Sequence, residues 1–175
     1  MDFTTQYLEL IEQLKQGKRP FRARTKEEFS QLELLLGEAL DSNSSDDIHK
    51  ILCILEHAGK PGIDLSSIFS QIILSSLETN IIVCALGVSH TQVIDAHFLK
   101  GIPIPSIFTQ ALKEKLSDPR AEVVEWSLRT IEYLGPQARV LKNEIQNFPI
   151  KFTYMFNKHS RQFTSLLEYI SANIK

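Results

Sequence analysis

Cysteine is scarce in this chain, which has only Cys53 and Cys84 among its 175 residues. Two cysteines cannot form a disulfide framework, so the composition predicts free thiols in a reducing interior and a cytoplasmic location. The first residues, MDFTTQYLELIEQ, contain no basic segment followed by an apolar one, which predicts that there is no signal peptide. The longest apolar run, Ile81 to Val88, is far shorter than a membrane span, so no membrane partner is predicted.

Known catalytic motifs are absent as well. The sequence contains no glycine-rich phosphate loop, no G-x-S-x-G elbow and no H-E-x-x-H helix. The formal net charge of −2 argues against a generally basic nucleic-acid binder, although it is compatible with a local basic patch. The sequence therefore predicts a protein that is not an enzyme and that has no cofactor and no bound metal.

The most informative stretch runs from Ser106 to Gly135 and is typical of two amphipathic helices joined by an Asp-Pro turn. Asp118 is the predicted N-cap of the second helix, and Pro119 its first residue, where the missing N–H costs nothing. Gly135 and Pro136 then end that helix. Apolar positions recur at helical spacing in both helices: Ile107, Phe108, Ala111, Leu112 and Leu116, then Val123, Val124, Ser127, Leu128, Ile131 and Leu134.

This order of residues resembles a HEAT repeat, a helical hairpin that stacks into a solenoid. The likeness is carried by Leu116, Asp118, Pro119, Glu122, Val123, Ser127, Leu128, Ile131, Leu134 and Gly135. Val124 stands where the family often has the arginine of an Asp–Arg ladder between repeats, which puts that ladder in question here. Some HEAT-like enzymes bind iron through His-Glu dipeptides, but none of the five histidines is followed by glutamate. The resemblance implies an all-α fold, a right-handed α-α superhelix of three to four hairpins.

The whole chain, residues 1–175, is predicted to form a single domain of such repeats. The last leucines of three first helices, Leu40, Leu77 and Leu116, are 37 and 39 residues apart, close to the HEAT period of about 40. The predicted parts are an N-terminal capping helix at 2–16, hairpin repeats at 27–62, 64–102 and 105–146, and a C-terminal capping hairpin at 149–174. The apolar run at 81–88 could be a buried strand by composition, but its place after a helix and a turn favours a helix.

A stack of hairpins offers an extended surface and no preformed catalytic pocket, so the main prediction is a scaffold that binds another protein on its concave face. In a HEAT stack, the second helix of each hairpin lines that face. The residues predicted to lie at or beside the contact are Glu125, Trp126, Arg129, Glu132 and Tyr133. The alternative for Trp126 and Tyr133 is that they pack against the following repeat.

A basic loop at residues 15–26 supports a second function, the binding of a nucleic acid or another anion. Its candidate residues are Lys18, Arg19, Arg22 and Arg24. Thr25 and Glu28 form a predicted capping box that ends this loop and begins the next helix. A solvated loop without a ligand is the simpler interpretation.

A stripe of His49, Cys53 and His57 supports a third function, a metal-dependent enzyme. These residues recur every fourth position on the predicted solvent side of one helix, which gives them the reach of a metal site. No fourth ligand is evident, so a solvated face is the simpler interpretation.

Overall fold

The computed structural model describes residues 2–148 and 162–173, and these residues form helices joined by short loops. The α-helices are α1 (Phe3–Lys15), α2 (Lys26–Asp41), α3 (Ser45–Glu56), α4 (Ser66–Leu74), α5 (Thr79–Ser89), α6 (Ala96–Lys100), α7 (Ser106–Lys115), α8 (Ala121–Tyr133), α9 (Lys142–Gln146) and α10 (Phe163–Asn173). A π-helix, His90–Asp95, precedes α6, and a 3₁₀-helix, Gly135–Leu141, precedes α9. The described residues contain no β-strand, only an isolated bridge between Arg22 and Ala58. The all-α prediction is confirmed for this part of the chain.

The apolar run 81–88 is helical, as predicted, and lies within α5. The π-helix follows α5 without an intervening turn and carries Gln92, which is buried. The Gln92 side-chain amide donates to the carbonyl oxygens of Leu55 at 2.8 Å and Gly59 at 3.3 Å. Because carbonyl groups at the end of a helix have no partner within it, Gln92 closes the end of α3 and holds the π-helix against it.

The helices contact one another in two series. In the first series, α1 contacts α3, α3 contacts α5, α5 contacts α8 and α8 contacts α10. In the second series, α2 contacts α4 and α4 contacts α7. The two series are joined by contacts of α2 with α3, α4 with α5 and α7 with α8. This arrangement places α3, α5 and α8 side by side.

Each helix of the second series buries a phenylalanine close to its beginning. These residues are Phe29 in α2, Phe69 in α4 and Phe108 in α7, and all three are fully buried. Their spacings of 40 and 39 residues agree with the period that the leucines predicted. A buried aromatic ring therefore recurs at the predicted period, a regularity that the leucine positions alone did not reveal.

The turn between α7 and α8 differs from the prediction. The helix α8 begins at Ala121, with Arg120 rather than Asp118 at the N-cap position. The Asp118 carboxylate instead accepts hydrogen bonds from the Arg120 backbone N–H at 2.9 Å and from its Nε and Nη2 at 2.8 Å each. Arg120 Nη1 donates to the Leu77 carbonyl at 2.9 Å, in the turn between α4 and α5. Arg120 thus links the turn before α8 to the turn before α5.

The first part of the predicted C-terminal hairpin, residues 149–161, lies outside the described residues. Its second part is represented by α10, which contacts α8 and α9. The division of the chain into three repeats with capping elements stays a prediction.

Candidate partner-binding surface

Part-exposed residues of three neighbouring helices form one surface, which we call the α3–α5–α8 face. They are His49 and Cys53 on α3, Val83, Cys84 and Gly87 on α5, and Trp126, Arg129 and Tyr133 on α8. Cys53 and Cys84 interact across the contact between α3 and α5. A β-carbon built on Gly87 would lie 3.5 Å from the Trp126 ring, across the contact between α5 and α8. The centre of this face, formed by α5, is uncharged and carries small side chains.

Trp126 and Tyr133 both contact elements that precede α8 in the chain. Trp126 is half-buried beside Gly87. The Tyr133 ring stacks on His90 with centroids 4.5 Å apart, and its hydroxyl donates to Asp95 at 3.1 Å. Burial and then the hydrogen bond to Asp95 raise the Tyr133 pKa, so its hydroxyl remains a donor at neutral pH. Tyr133 is still 43% exposed and remains accessible to a partner.

Glu125 is buried, although the sequence predicted that it lies at or beside the contact with a partner. Only 5% of it is exposed. Arg129 covers its carboxylate, with Nε and Nη2 donating to Oε1 at 3.0 and 2.8 Å. The same guanidinium lies 6.0 Å from the centroid of the Trp126 ring and also donates to Gln162. Arg129 therefore belongs to the surface, whereas the buried carboxylate of Glu125 fixes the position of its guanidinium group.

Glu132 faces α10. With Gln162, Leu166 and Tyr169 it lines a shallow pocket of about 350 Å³ between α8 and α10. The C-terminal helix thus occupies part of the polar surface that the sequence assigned to a partner. Of the five predicted residues, the structure groups Trp126, Arg129 and Tyr133 on the α3–α5–α8 face and directs Glu125 and Glu132 toward other parts of the chain.

The basic segment is only partly the solvated loop that was predicted. Lys18 and Arg19 are exposed. Arg22 pairs with Glu28 at 2.9 Å, and its backbone bonds to residues at the end of α3. The prediction that Arg24 is available to an anion is wrong. Its side chain is only 6% exposed, because it lies between α1 and α2, and it donates a hydrogen bond to Gln6 at 2.8 Å.

The stripe of His49, Cys53 and His57 is half-buried rather than exposed, which corrects the predicted solvent face. His49 Nε2 lies 3.6 Å from Cys53 Sγ, whereas His57 Nδ1 contacts the Cys53 carbonyl oxygen at 3.1 Å. The His49 ring also meets Tyr7 of α1 edge to face. Among the described residues, no group of three or more His, Cys, Asp or Glu side chains is arranged to hold a metal ion.

We expect Cys53 to react with iodoacetamide at least about tenfold faster than Cys84, since each unit of pKa difference changes the thiolate fraction tenfold. A hydrogen bond from Cys84 lowers the Cys53 pKa, although burial and Glu56 oppose it. The same bond, and then burial, raise the Cys84 pKa. Because the thiolate is the nucleophile, peptide mass spectrometry after timed alkylation at pH 7.5 measures the difference. Cys84→Ala should slow the alkylation of Cys53, because it removes the hydrogen bond that lowers the Cys53 pKa. Equal alkylation rates for the two thiols in the native protein would contradict the hydrogen bond between them.

We expect Gly87→Ala to raise the free energy of unfolding by about 0.5–1 kcal/mol, because alanine loses less backbone entropy than glycine in a helix. The new methyl group would meet the Trp126 ring at an ordinary contact distance of 3.5 Å. Gly101→Ala is the matched control: it also has space around it, but its φ of +64° is left-handed, so alanine there should destabilise the protein. Urea unfolding measures the free energy of unfolding of both variants. If Gly87→Ala destabilises the protein, α5 and α8 lie closer together than the 3.5 Å contact indicates.

Sequence reasoning missed the residues of α5 that form the centre of the face. Val83 and Gly87 are four positions apart and therefore share one side of the helix, but the run around them is so apolar that its exposed side cannot be read from the sequence. The link between Arg120 and Leu77 was missed for another reason, since these residues are 43 positions apart.

One helical stretch of the described residues, Thr79–Lys100, is long and apolar enough to cross a membrane by length and composition. Within its most apolar window, 61% is buried inside the protein.

Comparison of the chain with protein-family models, with curated proteins and with solved structures found no match.

Proposed function

We propose that this chain is a non-catalytic helical-repeat module that binds another protein through the α3–α5–α8 face. The observation that carries the proposal is the composition of this face, where small uncharged residues such as Val83 and Gly87 lie beside Trp126 and Arg129. Aromatic residues and arginine carry much of the binding energy in protein interfaces, and other charged residues are depleted at their centres. The face therefore has the composition of an interface centre.

The proposed architecture is a right-handed HEAT-like solenoid of three to four hairpins. It is supported by the two series of helix contacts, in which each helix touches the next of its own series. It is also supported by the 40- and 39-residue spacings of Phe29, Phe69 and Phe108. The hydrogen bond from Arg120 to Leu77 joins successive turns, as a ladder between repeats would.

The distribution of charge favours a protein partner over a nucleic acid. Arg22 and Arg24 have partners within the protein. Lys18 and Arg19 are exposed, but two cations neutralise few phosphates, whereas nucleic-acid binding draws its affinity from many. We place the module in the cytoplasm, a location that the free thiols of Cys53 and Cys84 support.

Site-specific crosslinking tests the proposed face. We expect a photo-reactive benzoylphenylalanine at position 126 to crosslink to another protein in cells, because this position lies within the proposed interface. The control places the same group at Leu34 on α2, which is 63% exposed but belongs to the other series of helices. Equal yields of crosslinked product from positions 34 and 126 would contradict the proposed face. Crosslinked products that nuclease digests would show that the partner is a nucleic acid rather than a protein.

A matched pair of arginine substitutions tests the centre of the face. With the crosslinker kept at position 126, Gly87→Arg should reduce the crosslinked product at least about tenfold, because a long cation would cover the uncharged centre. Gln71→Arg adds the same side chain to the exposed side of α4 and should leave the product unchanged. Circular dichroism is used to check that both variants fold. A folded Gly87→Arg variant with unchanged crosslinking would exclude this face.

A further inference from the structure

The two cysteines of the chain are neighbours on the α3–α5–α8 face. Cys53 lies on α3 and Cys84 on α5, and these two helices pack against each other. Both thiols are free and part-exposed, and the two side chains are within hydrogen-bonding reach across the contact. The chain has no other cysteine, so the fold brings together the only two thiols that the sequence contains.

The core beneath the two thiols holds them in place. Cys53 and Cys84 both pack against buried apolar residues, although neither is fully buried itself. Each is carried by a regular helix, so the two backbones cannot separate without loss of the packing between α3 and α5. Two groups that are held together in this way react at a high effective concentration.

The two thiols are chemically unequal. A hydrogen bond from Cys84 lowers the Cys53 pKa, although burial and the charge of Glu56 oppose this. His49 Nε2 lies 3.6 Å from the same Cys53 sulfur and is a second group that can donate to it. The hydrogen bond to Cys53, and then burial, raise the Cys84 pKa. Cys53 is therefore the thiol that forms a nucleophilic thiolate, and Cys84 remains protonated beside it.

We propose that Cys53 and Cys84 are a redox-sensitive thiol pair, which hydroperoxides convert into a reversible disulfide bond between α3 and α5. Redox-sensing cysteines are accessible, readily ionised thiols that often have a second, resolving cysteine next to them. Cys53 has the properties of the first thiol, and Cys84 has the position of the second. Disulfides of this kind are transient in a reducing compartment. The inference is independent of the proposed function, because it concerns only groups of this chain.

The oxidation has two balanced steps. In the first, the Cys53 thiolate attacks one oxygen of the hydroperoxide, the O–O bond breaks, and the other oxygen leaves as hydroxide or alkoxide. Cys53 becomes a sulfenic acid by losing two electrons, which the peroxide gains. In the second, the Cys84 sulfur attacks the Cys53 sulfur, the S–O bond breaks, and the departing hydroxide takes up the Cys84 proton to form water. A dithiol reductant returns the two electrons and restores both thiols.

The raised pKa of Cys84 is compatible with its role in the second step. The largest cause of the rise is the hydrogen bond to Cys53, and the charge of the Cys53 thiolate adds to it. Both causes depend on the thiolate, which is gone once Cys53 is a neutral sulfenic acid. Only burial and the charge of Glu56 then still oppose ionisation of Cys84. The first step therefore makes the attack by Cys84 easier.

The test uses the full chain, which is reduced beforehand and then treated with hydrogen peroxide at pH 7.5. We expect a non-reducing digest to contain the Cys53 and Cys84 peptides joined by a disulfide, in protein that migrates as a single chain on a denaturing gel. Peptide mapping separates this product from oxidation of the two methionines, and dithiothreitol should restore both thiols. Sulfinic acid at Cys53 without a disulfide, a disulfide between two molecules, or no reaction at either cysteine would overturn the inference.

Two substitutions of Cys84 form a matched set. Cys84→Ser keeps a hydrogen-bond donor beside Cys53 but cannot form the disulfide, so dimedone should trap the Cys53 sulfenic acid. Cys84→Ala also removes the donor and should slow this labelling about threefold or more, because a tenfold smaller thiolate fraction is partly offset by greater nucleophilicity. Equal labelling rates in the two variants would overturn the role of Cys84. Circular dichroism is used to check that both fold, and the wild-type digest tests the disulfide without any substitution.

Discussion

Leu128→Ala is expected to lower the free energy of unfolding by about 2–5 kcal/mol, the range for a buried leucine that leaves a cavity. Leu128 is fully buried in the middle of α8. This helix contacts α5, α7 and α10, so the cavity would lie where several helices meet. Because packed helices hold a side chain from several directions, we expect little relaxation and a loss in the upper part of this range.

Urea unfolding followed by circular dichroism measures this loss. Leu34→Ala is the control, because Leu34 is 63% exposed on α2 and its truncation should change stability by less than about 0.5 kcal/mol. A loss below about 1 kcal/mol for Leu128→Ala would show that α8 packs with another side toward the core.

Asp118→Asn is expected to destabilise the protein by roughly 3 kcal/mol at pH 7, because removal of one partner from a buried ion pair leaves the other uncompensated. The Asp118 side chain is 5% exposed, and it pairs with Arg120 at 2.8 Å and Lys115 at 3.3 Å. Asparagine preserves the shape but removes the charge, so Arg120 and Lys115 would lose their shared counter-charge. The hydrogen bond from Arg120 to Leu77 should weaken with it, which would loosen the turns that begin α5 and α8.

The pH dependence of stability gives an independent test of Asp118. Burial by itself would raise its pKa, but the hydrogen bonds from the Arg120 side chain and backbone, with the charges of Arg120 and Lys115, lower it from 3.8 to about 2. A carboxyl group with a lowered pKa in the folded state stabilises the protein fully above its unfolded pKa. This contribution, about 2 kcal/mol, is lost as the pH falls from about 4 to about 2.

Unfolding of the wild-type protein and of Asp118→Asn at pH 7 and at pH 2.5 measures this contribution. The difference in stability between the two proteins should shrink at the lower pH, because pH 2.5 lies below the unfolded-state pKa of Asp118 and close to its folded-state pKa of about 2, so most of the contribution of the carboxylate has been lost. Asp46→Asn is a suitable control, since this aspartate lies exposed at the start of α3 and its pair with Lys50 is a surface ion pair, which contributes little to stability. A difference between wild type and Asp118→Asn that is the same at both pH values would show that the carboxylate is not held by Arg120.

Local chemistry in the sequence predicted the helices and several of their ends. The capping box of Thr25 and Glu28 is present, with both of its hydrogen bonds, and α2 begins directly after Thr25. The apolar run 81–88 could have been a strand or a helix by composition. Its place after a helix and a turn correctly predicted a helix. These predictions succeed because a helix start or an amphipathic period depends on residues within about four positions of each other, and the printed sequence contains all of them.

The exposure of the candidate site residues was decided by contacts between distant parts of the chain. Glu125 and Arg24 have the polarity of surface residues, yet both are largely buried. Arg129, which covers Glu125, is fixed by Gln162, 33 positions further along the chain. Arg24 is enclosed because α1 packs across it. The contact is made by Gln6, which lies 18 positions earlier in the chain.

The order of residues was therefore enough to predict helices over the described part of the chain, and the apolar stripe of those helices whose polar and apolar residues alternate at the helical period. Which polar residues remain in solvent depends on how the helices pack. Packing brings Trp126, Arg129 and Gly87 together on one face and places Arg24 between two pockets. The physical reason is that burial is set by the neighbouring helices, not by the helix itself. A polar side chain can be buried wherever another part of the chain supplies its hydrogen bonds, and the helical period contains no information about that partner.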